Sequence, residues 1–557
     1  MKKLFIAAMA LATIVSCSKE NEEVIAPVGG ETALLSVSLK SAGTMRSNPE
    51  EFVYGTDAEN SVKNATFYFF DSEGAAYEVA DGTNAITVTP EQLGLTAGTA
   101  ENVEEVSNMI LVIKQSKVVP PAKMVAVLNA PVQQKVDLAD LQEDTTDWYN
   151  NGYGFVMSNS VYEENGKVVD ATEILAENIF TTSEPKGEVG SAYPAEGEDA
   201  DKNAKAVQIY VERVAARVDV EVAIKEGVLT VGNDKLYPVT LGKGASEKDA
   251  DTFVKILGWE VTNAAKNSSL LKKYAEPTAT GGFLFEPFNN HAFHRSYWAE
   301  TSEDIAAPEH DLKFDDIKNS LGYAYYNENT LSPVNAEGWF NAAELEGATK
   351  ASQIIVAAQL VDAQGNAKEF AKWYGTDYEN GADLQEAMIN NAAKQIFVKA
   401  KDYTAENQHF VSIAAKDVTF YQIGTGDYTP DQDVDRRYEV RVKGTEGAEY
   451  FDATGKTMSV EAATAILAKI EPAMIWTTGY TYYYTMINHF GDADGVVRNH
   501  SYDVNITAFH GLGTPIFEKD DFVIIPEIPV EQKAYNLTAQ INVLSWALVS
   551  NDVELGM

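Results

Sequence analysis

Few residues in this chain have the types and spacing that do chemistry. His291 and His294 form an HxxH in an aromatic loop, and Asp431, Asp433 and Asp435 follow the opening of a calcium loop. Neither arrangement is complete. The histidines lack a third ligand of recognisable placement, so surface or packing histidines are the competing reading. The aspartate run has Arg436 where a calcium loop needs glycine and Val442 where it needs glutamate. Gly491–Gly495 is short and reads as a hairpin turn. Trp298, Trp339 and Tyr482–Tyr484 could stack on sugars or fill cores. No GxSxG, P-loop or HExxH occurs, so the sequence implies neither an enzyme nor a cofactor. Two other features read as substrates of chemistry. Cys17 is the only cysteine in 557 residues and has no intrachain disulfide partner. Arg46, followed by Ser47, is the first arginine in the chain. It follows the small flexible residues Ser41–Thr44, so the segment before it reads as tethered by a loop and removable. An ordinary loop arginine is the alternative.

The element before Arg46 is patterned as a strand. In Ala33–Lys40, Leu35, Val37 and Leu39 alternate with Ser36, Ser38 and Lys40. A period of two marks a strand with one buried face. Lys40 is a weaker cleavage candidate because it belongs to the strand pattern. The chain also ends on a patterned segment. Leu537, Ala539, Ile541 and Val543 alternate with Thr538, Gln540 and Asn542, before Trp546–Val549, Val553 and Leu555. Such a strand must pair with something, because exposed apolar edges invite association.

The N-terminus reads as an export signal over residues 1–16. Lys2 and Lys3 precede the apolar run Leu4–Val15, too short for a permanent membrane span. Ile14-Val15-Ser16-Cys17 resembles the lipobox of bacterial lipoproteins, which implies cleavage before Cys17 and acylation of its thiol and new amino group. Ser18–Glu23 resembles the acidic export tag of Bacteroidetes surface lipoproteins. Acyl chains contribute about 0.8 kcal/mol per buried CH₂, so several of them anchor firmly. This makes the outer membrane a partner only through lipid. The chain holds 83 acidic and 43 basic residues, net −40. Nucleic acid and anionic lipid surfaces would repel it.

Length suggests at least two domains. Short strands with turn signals dominate: Ala65–Phe70, Ala85–Val88, Met109–Ile113, Met124–Leu128, Phe155–Ser158, Phe253–Trp259, Tyr438–Val442, Tyr480–Ile487, Tyr502–Phe509 and Asp521–Ile525. This predicts a mainly β fold of two antiparallel sandwiches. Ser183–Lys205 reads as an acidic surface loop. Ala342–Leu360, Leu384–Phe397 with Asp383 as N-cap, and Ala462–Ile470 have helical spacing. In Val207–Ile224 the apolar phase flips across Glu212–Ala216, which requires a change of buried face. The expected division is therefore 17–46 as a lipidated propeptide, 47–212 as a first domain and 213–557 as a second. One long bulged strand is the alternative. Tyr54–Asn60 and Tyr374–Asn380 echo each other, but their flanks differ.

Gly495–Tyr502 (GVVRNHSY), Gly511–Pro515 (GLGTP) and Tyr482–Ile487 resemble, in order and spacing, the fimbrillins of Bacteroidales, subunits of type V pili. Val211–Arg217 resembles the join of their two domains, and Val125–Pro131 and Phe155–Ser158 their first domain. Overall length is more like the minor-fimbria shaft subunit. The resemblance implies transthyretin-like, Greek-key sandwiches. It also implies a mechanism: a trypsin-like surface protease cuts after an arginine, the N-terminal strand leaves, and a strand from another copy fills the groove. Here the cut falls at Arg46-Ser47, the leaving strand carries Leu35, Val37 and Leu39, and the donor carries Leu537, Ile541 and Val543. An ordinary core-strand role for that C-terminal segment stays open. Implied partners are other copies in a filament and accessory and anchor subunits, with adhesion as the role. The alternative functions are a monomeric glycan-binding surface lipoprotein, or a tip or anchor fimbrin.

Overall fold

The computed structural model describes residues 32–42, 46–47, 50–51, 53–97, 103–114, 119–150, 152–180, 187–195, 206–241, 252–273, 289–290, 293–296, 299, 301, 312–330, 352–379, 381–390, 392–423, 437–445, 447–489, 493–516, 519, 537–538, 541–544 and 547–555. Two large β-sheets organise them. The first holds β1 (Thr32–Ala42), β2 (Ala65–Phe70), β3 (Ala85–Val88), β4 (Val103–Lys114), β5 (Lys123–Leu128), β6 (Met157–Asn159), β7 (Ala192–Pro194) and β8 (Val207–Arg213). Its order is β7-β4-β1-β8-β6-β5-β2-β3.

Ile86 near one end of this sheet and Ala192 near the other join one buried cluster with Phe67, Leu111 and Ile209. The sheet therefore folds over a shared core, as a sandwich does. Its strand β2 is covered on both sides. Phe67 and Phe69 face that cluster, while Tyr68 and Phe70 pack against Val125, Leu270 and Leu271. This explains why Ala65–Phe70 is apolar without alternation. Within Ser183–Lys205, read as a loop, Ala192–Pro194 is an edge strand on β4. Tyr193 packs there on Ile110 and Val112.

The second sheet contains β9 (Ala215–Val222), β10 (Asp234–Thr240), β11 (Phe253–Thr262), β12 (Gly322–Asn327), β13 (Gln353–Val361), β14 (Tyr480–Met486), β15 (His500–His510), β16 (Thr514–Pro515), β17 (Ile541–Leu544) and β18 (Ala547–Leu555). Its main path is β16-β14-β13-β11-β10-β15-β17-β18, and β9 bridges β12 and β15. The phase change across Glu212–Ala216 falls where the chain passes from β8 to β9, that is, from the first sheet to the second. Most pairs are antiparallel, but β1–β8, β9–β15, β10–β15 and β15–β18 are parallel.

One expected helix is a strand. Residues 352–360 of Ala342–Leu360 lie in or beside β13, and the rest lie outside the described residues. Ile354 and Val356 face one core and Ile355 and Ala357 the other. A strand buried on both faces loses the alternation that separates it from a helix. Between β13 and β14 sits a module with its own core, built on α2 (Gly381–Ile389) and α3 (Val460–Leu467), which follow the single turn α1 (Asp57–Asn60). Leu384, Met388, Val418, Val440 and Leu467 fill it. Asp383 lies inside α2 and does not cap it. The helix α3 is capped by Ser459, which accepts from the Ala462 N–H at 3.1 Å. Among the described residues, no helix is long and apolar enough to cross a membrane.

Candidate functional site

β1 lies inside the first sheet, hydrogen-bonded on both edges. It runs antiparallel to β4, with Leu35 opposite Leu111, Val37 opposite Met109 and Leu39 opposite Ser107. It runs parallel to β8, with Val37 opposite Val207 and Leu39 opposite Ile209. Leu39 is buried in the cluster that contains Met109, Leu111, Val207 and Ile209. Because β4 also pairs with β7, and β8 with β6, a sheet without β1 would keep two facing unpaired edges over an apolar floor. Two facing open edges over an apolar floor are the geometry that strand addition uses. Ser107, at one end of the floor, is held by its hydroxyl to the Leu93 carbonyl.

Arg46 and Ser47 pair with Glu51 and Glu50 in a two-residue ladder just past β1. Cys17 lies outside the described residues. The segment carrying Leu537, Ile541 and Val543 folds onto its own second sheet. There β17 is antiparallel to β15, with Val543 opposite Tyr502, and β18 returns beside both. Leu537–Thr538 pairs with the end of β18. Within one chain, then, the residues expected to leave and those expected to be donated belong to different sheets.

The other sequence candidates sort as follows. His294 stacks on Tyr210 with centroids 3.9 Å apart, and its Nδ1 lies 3.2 Å from the Tyr162 hydroxyl, a packing role. Tyr482 and Tyr483 are buried in cores. Asn488–His489 and Ala493–Asp494 pair as a hairpin around the Gly491 region. His291, Trp298, Trp339, Asp431–Asp435 and Asp521–Ile525 lie outside the described residues.

A buried polar junction between the sheets is a feature absent from the sequence reading. Thr56 and Glu59 form a capping box on α1, Thr56 accepting from Glu59 N–H and donating its own N–H to the Glu59 carboxylate. The same carboxylate accepts from Tyr325 at 2.6 Å and from Arg217 at 3.3 Å. Arg213 donates to the Glu59 carbonyl and to Asn499. Nearby, Arg498 makes a paired contact with Glu328, at 2.9 and 2.6 Å, and Lys272 meets Glu212 at 3.0 Å. Burial pushes Glu212 up and Lys272 down, each against the attraction of the other. A signal existed: Arg213, Arg217 and Arg498 interrupt apolar strand patterns, where an arginine must find a buried partner.

Comparison with known proteins follows this geometry. Residues 474–552 match the family described as major fimbrial subunit protein type IV, fimbrillin, C-terminal. They run from before β14 into β18 and include the GVVRNHSY and GLGTP segments. No curated protein matches the chain. Among solved structures, a candidate cell adhesion protein from Parabacteroides distasonis is 13% identical, with TM-score 0.37, covering 94% of this chain and 97% of its own. A fimbrilin, FimA, from Porphyromonas gingivalis is 13% identical at TM-score 0.30, covering 93% and 98%. The tip fimbrial protein Mfa3 of Porphyromonas gingivalis is 12% identical at TM-score 0.28, covering 94% and 99%.

Proposed function

We propose that this chain, whose residues 474–552 match the fimbrillin C-terminal family, is a fimbrial subunit of the cell surface, exported as a lipoprotein on Cys17 and polymerised by strand exchange. A trypsin-like surface protease cuts at Arg46-Ser47. The strand carrying Leu35, Val37 and Leu39 leaves, and the segment carrying Leu537, Ile541 and Val543 of another copy enters between β4 and β8. The family points to a structural role in place of an enzymatic one. Accessory and anchor subunits would complete the fimbria, and the membrane contact ends when the lipidated segment is removed.

One observation carries the reading: β1 is an interior strand whose covalent link to the residues that follow runs through the stretch containing Arg46. Each apolar side chain a donated strand buries contributes ~1.5–3 kcal/mol, and the main-chain ladder adds to it. A contact between unlike surfaces does not close on itself and so extends into a filament. Donation requires β17 and β18 to leave β15, so the same segment alternates between an inner and an outer partner. The test treats purified precursor with trypsin. Filaments with a new N-terminus at Ser47 are expected, and Arg46→Ala should leave monomers. An intact Arg46, or cleavage without polymer, sinks the proposal.

A further inference from the structure

We propose that an aromatic strip across the junction of the two sheets binds a neutral glycan. Tyr149 and Trp148 come from the hairpin that pairs Tyr149 with Phe155, on the first-sheet side. Tyr325 and Tyr323 come from β12. Ring centroids step 5.3 Å from Tyr149 to Trp148, 5.3 Å from Trp148 to Tyr325 and 5.6 Å from Tyr325 to Tyr323. Buried Phe155 backs the strip, 4.7 Å from Tyr325. The strip is open to water at both ends: Tyr323 is 54% exposed and Tyr149 39%. Its rings are held in place. Arg217 Cζ lies 5.5 Å from the Tyr323 ring centroid, and the Tyr325 hydroxyl is bonded to Glu59. The planes turn by 50°, 38° and 67° from one ring to the next, so this pre-ordered, polar-tipped row offers its exposed rings singly to the apolar C–H faces of pyranoses along a twisted chain.

The rim narrows the ligand. Asp219 is in register with Tyr323 on one side and with Asp503 on the other. Glu221 stands exposed two residues further along β9. Asp219 also keeps one buried oxygen without a hydrogen-bond partner. Carboxylates accept from sugar hydroxyls and repel acidic sugars. They also disfavour a second copy of this chain as occupant. A protein contact there would bury these carboxylates at a desolvation cost that sugar hydroxyls repay by hydrogen bonding. The inference is independent of how subunits join, and the uncut full chain tests it.

The experiment titrates the full chain with cellohexaose, maltohexaose and chitohexaose, following heat and tryptophan emission, with hexagalacturonate as the acidic control. Saturable binding of at least one neutral hexaose is expected. Tyr323→Ala and Tyr149→Ala, both at exposed rings, should each weaken it about fivefold to tenfold, and Trp148→Phe should abolish the emission change. The proposal is overturned if no neutral hexaose binds saturably. It is equally overturned if both alanine variants bind as the unmodified chain does, or if hexagalacturonate binds as tightly. Self-association that Tyr323→Ala removes, with no sugar binding, would assign the strip to a second copy instead.

Discussion

Arg217 reaches across the junction of the two sheets to place Nη1 3.3 Å from Oε1 of Glu59, a carboxylate fully withdrawn from water. Burial alone would raise the Glu59 carboxyl. Hydrogen bonds from Tyr325 and Thr56 and the charges of Arg217 and Arg213 outweigh it and hold the group below the ordinary glutamate range. A carboxyl depressed in the folded state contributes stability that is present above its unfolded pKa, about 4.3. That contribution is lost as pH falls through the folded value. Glu59→Gln should therefore cost about 3 kcal/mol at neutral pH, since it removes the buried negative charge that faces Arg217. The variant should also lack part of the acid limb of the stability curve. Urea titrations across pH check this, and parallel curves for the two proteins would refute it.

Asp503 titrates with the opposite sign. Burial first, and the facing Asp219 second, push it up to about 6. A carboxyl raised in the folded state favours folding while protonated, and that advantage declines as pH rises from about 3.9 toward 6. Asp503→Asn should stabilise the chain at pH 7. The gain should be about 1 kcal/mol, below the full value of the shift because Asp503 is partly exposed. Thermal melts at pH 4 and pH 7 test it. A variant no more stable than the parent at pH 7 contradicts the account.

The GLGTP segment owes its composition to close approach. Gly513 has φ +67°, and a Cβ there would lie 2.4 Å from Thr481 Oγ1 and 2.8 Å from the Tyr482 carbonyl oxygen. Gly232 shares the positive φ, +63°, but has nothing within 4 Å. Gly513→Ala should cost about 2–3 kcal/mol and Gly232→Ala about 1 kcal/mol. Chemical denaturation of the two variants gives the comparison, and equal costs would remove steric crowding as the cause.

Leu39 separates the precursor from its cut form. It is 1% exposed, and Leu39→Ala should lower precursor stability by about 2–5 kcal/mol. After trypsin and removal of the strand, variant and parent should unfold alike, because the altered residue is no longer present. A difference that persists in the cleaved material would show that β1 stays in its slot.

Local pattern carried much of this architecture. Ala65–Phe70, Ala85–Val88 and Tyr438–Val442 are strands over the spans their composition suggests, since β-branched and aromatic runs between turn residues have few other solutions. Pattern failed at β13, where Ile354 and Ile355 point into different cores, because periodicity encodes one-sided burial only. It also hid the junction. Glu59 lies in YGTDAEN, whose near copy YGTDYEN at Tyr374–Asn380 begins as a tight turn between Trp373 and Thr376. The same letters build a capped helical turn in one place and a hairpin in the other. What distinguishes them is the pair of arginines some 150 residues along the chain that meets only the first. The aromatic strip was equally invisible, since its rings come from segments far apart in sequence.

The interior position of β1 also has a mechanical meaning. Ladder bonds run across a strand, perpendicular to its length in the antiparallel β1–β4 pair and slanted in the parallel β1–β8 pair. A strand at a sheet edge can be peeled away one bond at a time. A strand held from both sides, as β1 is by β4 and β8, and tugged along its own axis loads both ladders together and yields only when they fail in shear. Any segment seated in that slot inherits this resistance, so a joint between subunits made there would be strongest in the direction in which flow drags on a fibre.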